Sequence, residues 1–156
     1  MKKILILIAT HLAFAGAGFM AGIYALPILM APDAPEIATV TKLEESARFQ
    51  GEFVRDLQDS DFLHWGEGIL SISDSVITLR GKLAPGPAYR LYLSPEFVET
   101  EADFKALKSR MALVGKIDTF DNFAVPVPPE IDPGEYAAAI VWCESFEQFI
   151  TAAKYR

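Results

Sequence analysis

Hydrophobic residues are distributed in two ways along the chain. From Ile4 to Met30 they follow one another for 27 residues without a charged side chain between them. Beyond Phe49 they alternate with polar residues, as in Leu70-Ser-Ile72 and Ile77-Thr-Leu79. An uninterrupted apolar stretch of that length predicts a membrane-spanning helix. Alternation with a period of two predicts strands with one buried face, as in an antiparallel sheet.

Turn residues divide the alternating region into short strands. Ser73-Asp-Ser75 predicts the turn of a hairpin, and Gly81 with Pro85-Gly-Pro87 ends the hairpin's second strand. One helix is predicted, from Thr100 to Met111, because Thr100 is a good N-cap residue. The remaining predicted strands include 89–93, 113–114 and 123–125, and the proline-rich segment 125–129 belongs at a sheet edge or in a loop.

The segment from Tyr136 to Cys143 differs from the other strands because it is apolar without a break. A short continuous apolar run is typical either of a strand buried on both faces or of part of a buried helix. Pro133-Gly134 before the run and the β-branched and aromatic residues at its end favour the strand. We therefore predict a central strand that carries Trp142 and Cys143.

These elements predict a mainly β protein, an antiparallel β-sandwich with one short helix, preceded by an N-terminal transmembrane helix. The expected divisions are a membrane anchor at residues 1–31, a juxtamembrane stalk at 32–48 and the sandwich domain at 49–156.

The apolar N-terminal segment is long enough to serve as an anchor. As a helix, Ile4–Met30 would extend for about 40 Å, more than the ~30 Å hydrocarbon core of a membrane. Lys2 and Lys3 should stay on the cytoplasmic side, which predicts an extracytoplasmic location for the rest of the chain, periplasmic in a Gram-negative cell. The alternative is a signal peptide with Ala13-Phe-Ala15 as its cleavage site. His11, at membrane depth, is expected either to snorkel towards the cytoplasmic side or to bond locally.

Charge and cysteine content limit the function classes. Twelve of the 14 basic residues and all 21 acidic residues lie beyond the apolar segment, which gives that part a net charge of −9. Such a domain repels phosphate backbones, so nucleic acid is not an expected partner. Because Cys143 is the only cysteine, the chain cannot form an internal disulfide or a metal site from several of its own thiolates.

Several short segments resemble one known family in their order. They are Gly51-Glu-Phe53, His64-Trp-Gly-Glu-Gly68, Gly86-Pro87, Tyr92-Leu-Ser94 and Ile140-Val-Trp-Cys-Glu-Ser-Phe146. Together they are similar to the DM-thirteen domain family, also described as electron-transfer DM-thirteen, over about residues 49–152. The resemblance implies a β-sandwich and a functional role for Cys143, and less directly for His64 and Gly68. The chain looks like a stand-alone bacterial-type member behind a single membrane anchor.

Cys143 and His64 are the candidate site residues. Cys143 could be a redox thiol that forms a mixed disulfide or a sulfenic acid, or a core residue that packs as a small hydrophobe. His64 could lower the pKa of the thiol if the fold brings the two together, or it could bond to loop backbone. The sequence does not identify a cofactor, and we expect no dedicated metal site. Asp56, Asp59 and Asp61 do not have calcium-loop spacing and predict a solvated acidic surface.

Two functions from different classes follow. The first is a membrane-anchored domain with a redox or electron-transfer-linked role centred on Cys143, acting with an unidentified redox or envelope protein. The second is a non-catalytic binding or envelope-scaffold module in which Cys143 belongs to the core. No phosphate-binding loop, nucleophile elbow or zinc-protease motif is present, so the sequence leaves open whether the protein is an enzyme.

Overall fold

Eight strands follow two helices in the computed structural model, which describes residues 1–156. The helices α1 and α2 are Lys2–Met30 and Ile37–Glu44. The first four strands are β1 (Phe49–Phe53), β2 (Gly66–Ile72), β3 (Val76–Leu83) and β4 (Tyr89–Ser94). Helix α3 (Glu101–Leu107) continues into a 3-10 turn at Lys108–Arg110. The last four strands are β5 (Ala112–Ile117), β6 (Asp121–Pro126), β7 (Ala138–Cys143) and β8 (Gln148–Lys154).

The strands form two four-stranded antiparallel sheets that share one apolar core. Their orders are β1-β2-β3-β6 and β5-β4-β7-β8. Leu70 and Ile77 of the first sheet and Leu91 and Val141 of the second are fully buried in the same cluster of 20 residues. Most strands contribute every second residue to that core, as the period-two pattern requires, and in β5 and β8 a register shift interrupts the alternation. The predicted fold class, mainly β with antiparallel sheets, one short helix in the domain and an apolar N-terminal helix, is therefore confirmed.

Residues 138–143 of the apolar run 136–143 form the inner strand β7, between β4 and β8. All six residues of β7 are buried, as predicted for a strand covered on both faces. Val141 and Cys143 point into the core between the sheets, whereas Ile140 and Trp142 lie in a second apolar cluster of eight residues. Successive side chains of a strand point to opposite faces, so Cys143 and Trp142 occupy different environments although they are adjacent in sequence.

Helix α3 covers the outer face of the second sheet. Thr100 caps it, because its hydroxyl accepts the Asp103 backbone N–H at 3.1 Å. The fully buried ring of Phe104 stacks on Trp142, with centroids 4.0 Å apart and an interplanar angle of 9°. Aromatic pairs of this kind contribute about 0.5–1.5 kcal/mol beyond their burial. The predicted helix is present, although its regular part is shorter than 100–111 and ends at Leu107.

Three further elements complete the two sheets and their surroundings. Strand β8 continues the second sheet from Gln148 to Lys154, a segment for which the sequence predicted no strand. Segment 125–129 leaves the sheet from β6, which is an edge strand, as its prolines predicted. Helix α2 packs against the first sheet through Val40, which is fully buried.

Helix α1 has no buried residue along its 29 positions. By length and composition it could cross a membrane, and its position also suits a signal sequence. His11 Nδ1 lies 2.8 Å from the Leu7 carbonyl oxygen one turn earlier, so it bonds locally as expected. The division of the chain at residues 31 and 48 remains a prediction, because the course of the helices alone does not define functional units.

Candidate functional site

A cavity of about 530 Å³ lies where the last third of α1 meets one end of the sandwich. The loop before β2 contributes Leu63 and His64, and the loop before β4 contributes Pro85–Pro87. Strand β7 and the turn after it contribute Cys143 and Phe146, while Met20, Ile23 and Tyr24 come from α1. The cavity therefore brings together the two candidate residues, which are 79 positions apart in the sequence.

Cys143 lies at the inner wall of this cavity. Only 2% of the residue is exposed, and its Sγ–H donates to the Pro87 carbonyl oxygen at 3.1 Å. Burial raises the pKa of the thiol, and the nearby backbone N–H groups of Phe146 and Ser145 only partly oppose that rise. The resting side chain is consequently a protonated thiol, since the charged form is poorly solvated there.

His64 is held by a carboxylate on its own loop. Its Nδ1 lies 2.9 Å from Asp61 Oδ2, while Asp61 Oδ1 accepts the backbone N–H groups of Leu63 and His64. Burial alone would raise the pKa of Asp61, but these donors lower it, so the carboxylate is ionised and only accepts hydrogen bonds. In the neutral imidazole Nδ1 must then carry the proton, which leaves Nε2 as a base.

The loop that carries His64 is braced from outside. The Arg55 guanidinium lies 3.3 Å from the centroid of the Trp65 ring and forms two hydrogen bonds to the Glu67 carboxylate, at 2.6 and 2.9 Å. Planar stacking and a two-pronged carboxylate contact both use the fixed shape of the guanidinium. These contacts position the segment between β1 and β2, so that His64 lies at the cavity wall rather than in solvent.

Other residues singled out by the sequence lie elsewhere. His11 does not line the cavity. Gly68 lies in β2 with φ of +123°, directly opposite Gly81. It is needed for the conformation of the strand and does not line the cavity. Among the acidic residues, Asp59 accepts the Glu101 backbone N–H at 2.7 Å and Asp61 holds His64. Two carboxylates of the predicted acidic surface therefore hold loop residues in place through hydrogen bonds.

Sequence reasoning did not identify Asp61 as the partner of His64, nor Pro87, Tyr89 and Phe146 as neighbours of Cys143. Asp61-x-x-His64 has the spacing with which an Asp side chain bonds to backbone groups two and three residues later. That pattern could have indicated a fixed histidine. Pro87 and Tyr89 gave no such signal, because they come from a distant segment that only the pairing of β4 with β7 brings next to Cys143.

A second polar cluster follows Cys143 on the outer face of the sheet. The Tyr92 hydroxyl donates to the Glu144 carboxylate, and Lys108 Nζ contacts it at 2.9 Å. Burial acts to raise the pKa of Glu144, but the Tyr92 hydrogen bond and Lys108 outweigh it and the pKa is lowered. Lys108 thus neutralises Glu144 and is not positioned as a cation for the thiol.

We expect this cluster to make stability dependent on pH in the acidic range. A carboxylate whose pKa is lowered in the folded state stabilises it above the unfolded pKa of 4.5, and that contribution is lost as the pH falls through the folded value. Glu144→Gln should therefore lower the urea midpoint at pH 7 and make little difference at a pH well below 4.5. Glu147→Gln, at an exposed ion pair with Lys105, is the control. A deficit that is equal at both pH values would contradict the expectation.

Comparison with known families supports the resemblance noted in the sequence. A family model described as Electron transfer DM13 matches residues 56–155, which is nearly two thirds of the chain. The match includes the His64 loop, both sheets apart from β1, and Cys143. No curated protein and no solved structure matches the chain.

Proposed function

We propose, since the chain belongs to the electron transfer DM13 family, that it is a thiol-based redox domain held outside the cytoplasm by α1. Cys143 is the redox group, and His64 is the base that accepts its proton. The observation that carries the proposal is the shared cavity, which is lined both by the otherwise buried Cys143 and by the imidazole that Asp61 holds in place. The helix α1 is the uncleaved anchor, with Lys2 and Lys3 on the cytoplasmic side.

The chemistry that these residues support is oxidation by a small peroxide. Transfer of the thiol proton to His64 gives a thiolate, and the thiolate attacks one peroxide oxygen. The O–O bond breaks, the sulfur becomes a sulfenic acid, and the departing oxygen leaves as water after taking a proton from the imidazolium. For hydrogen peroxide the balance is thiol plus peroxide to sulfenic acid plus water. A thiol-bearing reductant or partner protein would return Cys143 to the resting state through a mixed disulfide.

The first test follows the oxidation state of Cys143. Full-length protein in phospholipid vesicles is treated with hydrogen peroxide in the presence of dimedone, and the intact mass is measured. We expect the wild type to gain one dimedone adduct and Cys143→Ser to gain none, with the urea midpoints of the two proteins similar. If the wild type gains no adduct while folded, the redox proposal is wrong.

The role of His64 has its own test. His64→Gln keeps a donor for Asp61 but removes the base, so we expect adduct formation at pH 7 to slow by about tenfold or more. The rate should also become more dependent on pH, because hydroxide must replace the imidazole. His11→Gln is the matched control and should behave as the wild type. An unchanged rate and pH profile in His64→Gln would assign His64 a purely structural role.

The second candidate function is a binding or scaffold module of the cell envelope in which Cys143 is only a packing residue. The observation that favours it is the 2% exposure of Cys143 together with its place in the 20-residue core cluster. A non-catalytic module would need the cavity or the surface but not the sulfur. Under this proposal Cys143→Ala retains every function of the protein, and its only effect is on stability.

A further inference from the structure

The cavity lies at the level at which α1 would leave a membrane. About 20 helical residues cross the hydrocarbon core, so a span that begins at Ile4 ends near Ile23. Tyr24 follows at once, and tyrosine is favoured at the boundary between hydrocarbon and headgroups. Because Met20, Ile23 and Tyr24 all line the cavity, its α1 side faces the outer edge of the bilayer.

Exposed apolar side chains on the domain lie at the same place. Phe62 is 84% exposed and directly precedes Leu63, which lines the cavity. Phe146, another lining residue, is 52% exposed. Large aromatic side chains in water on one face of an otherwise acidic domain suggest a surface that rests on a membrane. The cavity would then open toward lipid rather than toward bulk water.

The lining also defines the chemistry of an occupant. It contains no lysine, arginine, aspartate or glutamate, and most of its residues are hydrophobic. A phosphate or carboxylate head would have no lysine or arginine to pair with, the one imidazole in the lining already being paired with Asp61, and it would lie beside a domain with a net charge of −9. Burying such a charge without a partner is costly. A neutral head with an apolar tail therefore fits, and a fatty acid or phospholipid head does not.

The remaining polar groups suit a ring that carries oxygens. The Tyr89 hydroxyl is already used, because it donates to the Ala84 carbonyl oxygen at 2.9 Å, and the Gln148 amide donates to Glu101. Tyr24 can donate from its hydroxyl, and Nε2 of His64 can accept. A quinone carbonyl accepts hydrogen bonds and a quinol hydroxyl donates them, so this pair of groups can bind both forms.

We propose that the cavity is a binding site for a lipid-soluble quinone that enters from the outer leaflet past Met20 and Ile23. The proposal deepens the redox role, on which it rests for the choice of a redox-active ligand over any other neutral amphiphile. It concerns binding alone, and it does not depend on the sulfur of Cys143. The site should consequently persist when Cys143 is replaced by serine.

The test is a titration of full-length protein in detergent micelles with a decyl-tailed benzoquinone whose ring is fully substituted and so cannot alkylate the thiol. We expect one quinone to bind per chain, in both the wild type and Cys143→Ser. Ile23→Trp should weaken binding by at least about tenfold, because an indole at that position occupies the cavity. Ile28→Trp, on α1 but outside the cavity, should bind as the wild type does.

Decanoic acid, with a similar tail and a charged head, should not bind at neutral pH. Equal quinone affinity in Ile23→Trp, binding of decanoic acid as tight as that of the quinone, or no binding of the quinone would each overturn the proposal. The outcome is separable from the thiol test. If the quinone binds but no dimedone adduct forms, the quinone site stands and the redox role of Cys143 is wrong. If an adduct forms but the quinone does not bind, the redox role of Cys143 stands and the quinone site is wrong.

Discussion

Replacing Gly81 by alanine should destabilise the domain by roughly 3–5 kcal/mol, a large share of the ~5–15 kcal/mol by which domains of this kind are stable. A Cβ at Gly81 would lie 2.0 Å from the Glu67 carbonyl oxygen and 2.8 Å from the Gly68 Cα. Both are backbone atoms of the neighbouring strand, so no flexible side chain can move away. Relief requires β2 and β3 to separate, which breaks the ladder between them.

The measurement is urea unfolding of full-length protein in detergent, followed by circular dichroism. Gly134→Ala is the matched control, because its Cβ would meet only the ends of two flexible side chains, Asp132 at 3.1 Å and Arg48 at 3.4 Å, and should change the midpoint little. A midpoint for Gly81→Ala within error of the wild type would show that the two strands are not as close as described. The variant should also disturb the cavity, because β2 begins two residues after His64.

The first sheet could be predicted only in part from its residues. The hairpin β2–β3 follows from the alternation on either side of Ser73-Asp-Ser75, and Leu70 indeed pairs with Leu79 across it. The close approach at Gly68 and Gly81 could not be predicted, because glycine in a strand is equally consistent with a bulge, a turn or weak packing. Which of these applies depends on the partner strand, and that is decided by tertiary structure.

The second sheet could also be predicted only in part from its residues. The continuous apolar run 136–143, together with Pro133-Gly134 before it and the β-branched and aromatic residues at its end, predicted an inner strand, which the structure confirms. The burial of Cys143 at its end could not be predicted, because the sequence was equally consistent with an accessible thiol. Strand β8 was not predicted as a strand, because Phe149-Ile150-Thr151-Ala152-Ala153 has no clear period and ends in residues that are also good helix formers. Its position next to β7 decides its conformation.

The candidate site depended on distances that a sequence does not contain. Cys143 and His64 were recognised separately, and their shared cavity follows from the loop between β1 and β2 folding over the end of β7. The structure weakens one part of the redox argument, because the thiol is buried and its pKa is raised. It strengthens another, because a histidine fixed by Asp61 lies on the wall of the same cavity. Access to the sulfur is therefore the property that separates the two functions.

Cys143 in the folded protein should react at least about a hundredfold more slowly with a bulky charged maleimide than an exposed cysteine does at the same pH. With 2% of the residue exposed, a large reagent must wait for the structure to open locally, and the raised pKa further lowers the thiolate fraction. The matched control is the double variant Cys143→Ser with Ser145→Cys, which moves the only thiol to an exposed position two residues later. This control should react rapidly with the same reagent.

A small uncharged reagent should give a different result. Methyl methanethiosulfonate can enter a cavity of about 530 Å³, so we expect it to modify Cys143 in the folded protein faster than global unfolding permits. Filling the cavity with Ile23→Trp should slow that reaction while leaving the Ser145→Cys control unchanged. If the small reagent also modifies Cys143 only after denaturation, the cavity gives no route to the sulfur. Cys143 is then a packing residue, and the scaffold function is the one that stands.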